Sequence, residues 1–300
     1  LGSQLDDDEL LARIGGDEFG LLLRRSGSER AVQRLESMRE HVAELRVPWN
    51  EHVMSTSISV GLVPFEQGEN FAFLGGRDWD PSQVTLPKPV TDALEILLIT
   101  KDNLASFHRE FVFSFILEEK WGRWIGRWTA EEHLHAIALL NYLVVTREID
   151  PAANEDVRVE HVMKGYRADT YSQVERLVFM AFFERAHAVF CRNLEAQITE
   201  PVLKNLVGRI ARDEERHEEF FANLVSHLLS THRDETVEAI ANRAAELGVV
   251  GGDIDAYADK VQQVADAGIF GPEQLRQVVT DRIAAWGLAD EPRLKQFATA

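Results

Sequence analysis

Cysteine is almost absent: Cys191 stands alone in 300 residues. The chain can build neither a disulfide framework nor a thiolate metal site, and a reducing cytoplasm suits it. Positive charge is short as well, with 32 Lys and Arg against 50 Asp and Glu and a formal net charge of −18. That balance argues against a nucleic-acid partner, because binding to a phosphate backbone rests largely on Lys and Arg. Long apolar runs are missing. ALEILLIT (93–100) and HAIALLNYLVV (135–145) fall well short of the roughly 20 residues needed to span a bilayer. Asp6, Asp7, Asp8 and Glu9 stand where a secretory leader would be basic, and Leu1 at the start suggests a trimmed chain. What is plentiful is apolar content, 45%, enough for one large core or two modest ones.

Residues 1 to about 64 read as a small α/β piece: RIGGDEFGLLL (13–23), a helical segment from about Ser28 to Leu45, and the alternating STSISVGLV (55–63). Two glycines before Asp17, Glu18 and Phe19 resemble the signature hairpin of the diguanylate cyclase (GGDEF) domain. A working cyclase needs an upstream strand and helix that supply a metal-binding Asp, and too few residues precede the motif. The piece is therefore expected to be a partial, non-catalytic fragment, and cyclic di-GMP signalling is not expected. From Pro64 the composition turns rich in Gly, Pro and Asp, an irregular connection. Beyond Pro89 the apolar spacing predicts helices over about 90–117, 121–147, 157–197, 201–230 and 234–247, an all-α body over residues 65–300.

Those helices carry the chemistry. Glu132-x-x-His135 and Glu214-x-x-His217 each set a carboxylate and an imidazole one turn apart on one face, where both can grip a metal ion. Glu184-x-x-His187 is a third such pair. Asp102 stands as far before Glu132 as Glu184 stands before Glu214, so the chain repeats a lone carboxylate followed by Glu-x-x-His. This is the ligand pattern of ferritin-like di-iron and di-manganese carboxylate proteins. Carboxylates and imidazoles without thiolate suit Fe or Mn better than structural zinc.

Plainer readings exist for each residue. Thr129 to Glu132 also spells a helix-capping box, RDEERHEE (212–219) could be a solvated face, and Asp102 could sit on a surface beside Lys101. Glu184, within VFMAFFERAHAVF, faces a large desolvation penalty unless paired or metal-bound. Metal-bound histidines usually give their free N–H to a carboxylate. Glu131 and Asp213 are candidates for that role across the bundle, with Asp213 set against His135. His187 reads as a satisfied core or supporting histidine, and Trp121, Trp124 and Trp128 as a bundle seam.

Taken together, WTAEEHLHAIALLNYLVVTREID, ITKDNLASFHRE, FFERAHAVF and ARDEERHEEFFANLV resemble the soluble acyl-acyl carrier protein desaturases, from about Val63 to Ala300. The resemblance implies a ferritin-like bundle, a homodimer, and a centre of two Fe ions, with Mn as the alternative metal. It implies use of O2 and of electrons from a ferredoxin-type donor to place a double bond in an acyl chain carried on acyl carrier protein. Its metal ligands would be Asp102, Glu132, His135, Glu184, Glu214 and His217, supported by Asp213. The plant enzymes have Glu where Asp102 stands and a small or hydroxyl-bearing residue where His187 stands. Another ferritin-like oxidase or monooxygenase, or a non-catalytic chimera, is the competing reading. Acyl carrier protein is acidic, so docking needs a local basic patch, for which Lys120, Arg123 and Arg127 are candidates.

Overall fold

The computed structural model describes residues 10–15, 18–23, 28–49, 52–54, 58, 60, 79–115 and 118–298. The chain divides into two compact units, Leu1–Phe71 and Ala72–Ala300. In the first, strands β1 (Leu10–Gly15) and β2 (Glu18–Leu22) pair antiparallel, with Leu10 opposite Leu22. Helix α1 (Ser28–Glu44) follows and buries Ala31, Met38 and Val42 along one stripe. A short hairpin, β3 (Val47–Trp49) with β4 (His52–Met54), ends the described part of this unit. The alternating stretch 55–63, expected as a strand, lies outside the described residues except for Ile58 and Val60, which carry no regular structure.

The second unit is helical: α2 (Lys88–Asp102), α3 (Leu104–Ser114), α4 (Glu119–Val145), α5 (Pro151–Lys164), α6 (Gln173–Gln197), α7 (Pro201–Thr231), α8 (Arg233–Glu246), α9 (Ala258–Asp266), α10 (Pro272–Ala285) and α11 (Lys295–Ala298). Helices α2, α4, α6 and α7 pack on one another as the central bundle, and the others flank it, a ferritin-like arrangement. Two expected helices prove to be broken. The stretch 90–117 divides at Asn103, which leaves helical geometry at ψ 9 with its side chain buried against His161. The stretch 157–197 divides because Gly165 takes a positive φ of 62 at the end of α5, and α6 restarts from Ser172. There the Ser172 hydroxyl accepts from the Glu175 N–H while the Glu175 carboxylate accepts from the Ser172 N–H, a reciprocal cap.

The apolar interior forms two clusters rather than one. The first takes Val90 to Ile99 of α2, Ala136 to Leu143 of α4, Ala186 to Leu194 of α6 and Val202 to Ala211 of α7. The second takes Phe107 and Phe111 of α3, Ile125 and Trp128 of α4, Val174 to Phe182 of α6 and Phe221 and Val225 of α7. On α4, α6 and α7 the switch from one cluster to the other falls at the residues with chemistry, and on α2 the first cluster ends there. Lys101, Glu132, Glu184 and Glu214 form a buried polar layer between two apolar halves.

Candidate metal centre

A carboxylate inside such an interior is costly unless something positive meets it. Glu184 and Glu214 are 0% exposed, and Glu132, His135 and His217 are buried with them. Glu132 enters from the middle of α4 rather than its start: the Thr129 hydroxyl donates to the Ile125 carbonyl one turn back, so the capping-box reading does not apply.

The two histidines face the carboxylates crosswise. His135 Nδ1 lies 3.1 Å from Glu214 Oε1, and His217 Nδ1 lies 3.1 Å from Glu132 Oε1 and 4.0 Å from Glu184 Oε2. Their outer nitrogens meet the supporting acids expected for them: His135 Nε2 is 3.2 Å from Asp213 Oδ2, and His217 Nε2 is 3.0 Å from Glu131 Oε2. An Nε2–H donating outward leaves the Nδ1 lone pair free to face the centre. Asp213 and Glu131 are themselves anchored by Arg216 and Arg127.

Glu132 Oε1, His135 Nδ1, Glu184 Oε2, Glu214 Oε1 and His217 Nδ1 are all buried without a hydrogen-bond partner. Five converging donor atoms left unpaired are what a cation site requires. One ligand atom each from Glu132, Glu184, Glu214 and His217 lies within 4.8 Å of the others, a set that could hold one metal ion. The same charge crowding governs protonation. Burial would lower both imidazoles, yet the carboxylates outweigh it and hold His135 and His217 up at about 9. Burial, then repulsion from Glu132 and Glu214, pushes Glu184 well above the usual carboxylate range. For Glu214 burial and Glu132 act upward, but Lys101 and His135 prevail and hold it at about 2.

Asp102 does not join this group. It lies on the outer side of α2 with its carboxylate 3.4 Å from Arg158 of α5 and 26% of its side chain exposed. The residue before it enters instead. Lys101 is 2% exposed, and its ammonium donates to Glu132 Oε2 at 2.6 Å and to Glu214 Oε2 at 2.7 Å. Burial works to lower the Lys101 ammonium, but Glu132, Glu214 and Glu184 more than compensate and hold it above the ordinary lysine range. The α2 sequence held the clue. Asp102 stands two turns after the half-buried Glu95, on the polar side, whereas Lys101 follows Leu94 and Leu97 on the core side.

Three other residues complete the surroundings. The Trp128 indole N–H donates to Glu184 Oε1 at 2.9 Å, so this tryptophan steadies a site residue as well as filling the seam. Trp124 sets its ring edge-on to His217. His187 is 1% exposed, and neither ring nitrogen has a hydrogen-bond partner. Burial first, and then the Lys101 charge, pushes it down to about 3.

A helical bundle that closes two Glu-x-x-His pairs over a further buried glutamate belongs to the metal-carboxylate class. Comparison with known proteins is more specific. The fatty acid desaturase family model matches residues 30–300, and the chain belongs to that family. The chain is 74% identical over 237 residues to Mycobacterium tuberculosis DesA2, named as a candidate acyl-[acyl-carrier-protein] desaturase; the match covers 79% of this chain and 86% of that one. DesA1 of the same organism, similarly named, is 30% identical over 248 residues, covering 80% and 71%. The chloroplastic acyl-[acyl-carrier-protein] desaturase 7 of Oryza sativa subsp. japonica is 30% identical over 184 residues, covering 57% of this chain and 45% of its own. The X-ray structure of DesA2 superposes with a TM-score of 0.62 at 67% identity, covering 79% of this chain and 88% of that one. The activity is fatty acyl desaturation, an oxidoreductase reaction, which sets aside the competing ferritin-like readings. The family is a di-iron class.

Proposed function

We propose that this chain desaturates a fatty acyl chain carried on acyl carrier protein, using O2 and electrons from a ferredoxin-type donor at an iron centre built on Glu132, Glu184, Glu214 and His217. The observation that carries the reading is the set of unpartnered buried donor atoms on three bundle helices, in a chain whose relatives are named as acyl-[acyl-carrier-protein] desaturases. Bound iron would supply oxygen activation. The residues of this chain orient that centre: Asp213 and Glu131 fix the histidine rings, and Trp128 fixes Glu184.

Manganese suits the same ligands as the alternative metal. No helix among the described residues is long and apolar enough to cross a membrane, and a cytoplasmic homodimer is the state we assign. The GGDEF-like piece, residues 1–64, takes no part in the chemistry under this reading, and residues 65–300 carry it. Lys120, Arg123 and Arg127 are the candidate docking face, and Arg127 also pairs with Glu131. The test is turnover: with reduced ferredoxin and O2, the protein should convert a saturated acyl chain on acyl carrier protein to a product lighter by two hydrogens, and Glu214→Ala should lose at least 100-fold in rate. Equal product from Glu214→Ala would move the reaction elsewhere.

A further inference from the structure

The family's two-metal centre does not fit these residues as they stand. We propose that the centre takes up one metal ion per chain and that the Lys101 ammonium serves as its second cation. The inference rests on the metal reading above and sharpens it at the level of single atoms.

Glu132 and Glu214 each divide their oxygens between two tasks. Both Oε2 atoms accept from Lys101 Nζ, at 2.6 and 2.7 Å, while both Oε1 atoms are buried and unpartnered. The unpartnered Oε1 atoms are the ones left for a metal, together with Glu184 Oε2 and His217 Nδ1. A second ion would need the Oε2 atoms that the ammonium already holds. It would also need an acidic ligand from α2, and the nearest candidate, Asp102, is turned toward Arg158.

Charge balance points the same way. Glu132, Glu184 and Glu214, when ionised, bring three negative charges into a layer closed to water. One divalent ion and one ammonium match them. Two divalent ions beside Lys101 would leave excess positive charge buried at close range, which the low-dielectric interior opposes strongly. Lys101→Glu would reverse this by exchanging the ammonium for a fourth carboxylate, adding a ligand and the charge to accommodate a second ion.

The test is a metal count on the full chain, loaded anaerobically with ferrous iron, dialysed, and measured by plasma mass spectrometry, with circular dichroism to confirm that each variant is folded. The expected result is about one iron per chain for the wild type, about two for Lys101→Glu, and about one for Asp102→Ala. About two irons in the wild type would overturn the inference while leaving the desaturase reading in place. One iron in a folded Lys101→Glu would overturn the role given to Lys101. No iron bound by the wild type would overturn the metal reading and this inference together.

Discussion

His187 isolates the physics of a buried polar residue without a partner. Its imidazole is held at about 3, against an ordinary value of 6.5, chiefly because charging it would require burying an ion. Between those two pH values the unfolded chain binds a proton that the folded chain refuses. Stability from this residue is therefore complete above pH 6.5 and falls as pH drops toward 3, by up to about 1.4 kcal/mol per pH unit. Denaturant midpoints measured at pH 7.5 and 5 should differ less in His187→Leu than in the wild type; an identical dependence would show that His187 is not the group responsible. At this scale the sequence was partly legible. Glu132, His135, Glu184, Glu214 and His217 could be placed by helical spacing, and Asp213 and Glu131 by the chemistry of ligand histidines. Lys101 was missed despite its place after Leu94 and Leu97 on the core side, because a cation in the middle of a ligand set contradicts the rule that selects acids. A one-residue change of position on an α-helix rotates a side chain by about 100°, enough to exchange Lys101 for Asp102 at the centre.

Elements were easiest to read where the ends were marked. The patterns over 201–230 and 234–247 correspond closely to α7 and α8, and the helical segment expected from Ser28 corresponds to α1. Apolar spacing alone merged α5 with α6, because suitable residues continue on both sides of the break. The information lay in Gly165 and in Ser172 with Glu175, local signals that periodicity does not weigh. The Gly165 backbone passes so close to α3 that an added Cβ would meet Ser106 Oγ at 2.9 Å. Losing the cap at the head of α6 should be felt globally, since this helix contributes Glu184 and spans both apolar clusters. Ser172→Ala is expected to cost about 1 kcal/mol, seen as a lower urea midpoint with an unchanged slope. No change in midpoint would mean that packing alone sets where α6 begins.

Across the whole second unit, the two apolar clusters explain why so much charge can sit in the interior. Each cluster buries its own aliphatic and aromatic residues, and the polar layer between them loses little hydrophobic contact by being polar. That layer is closed by Lys101 above one pair of carboxylate oxygens and left with unpaired donors on the other side. The architecture thus presents a site for metal inside the bundle of a fatty acid desaturase. Its location follows from three helices, α4, α6 and α7, that change core at the same level, and from α2, whose core face ends there. Among the described residues, those of this layer all come from the second unit, from Lys101 onward. The most direct measurement is anomalous X-ray scattering at the iron edge from crystals of the iron-loaded chain. One peak should lie within coordinating reach of Glu132, Glu184, Glu214 and His217. An empty layer in crystals that carry iron elsewhere would contradict the account.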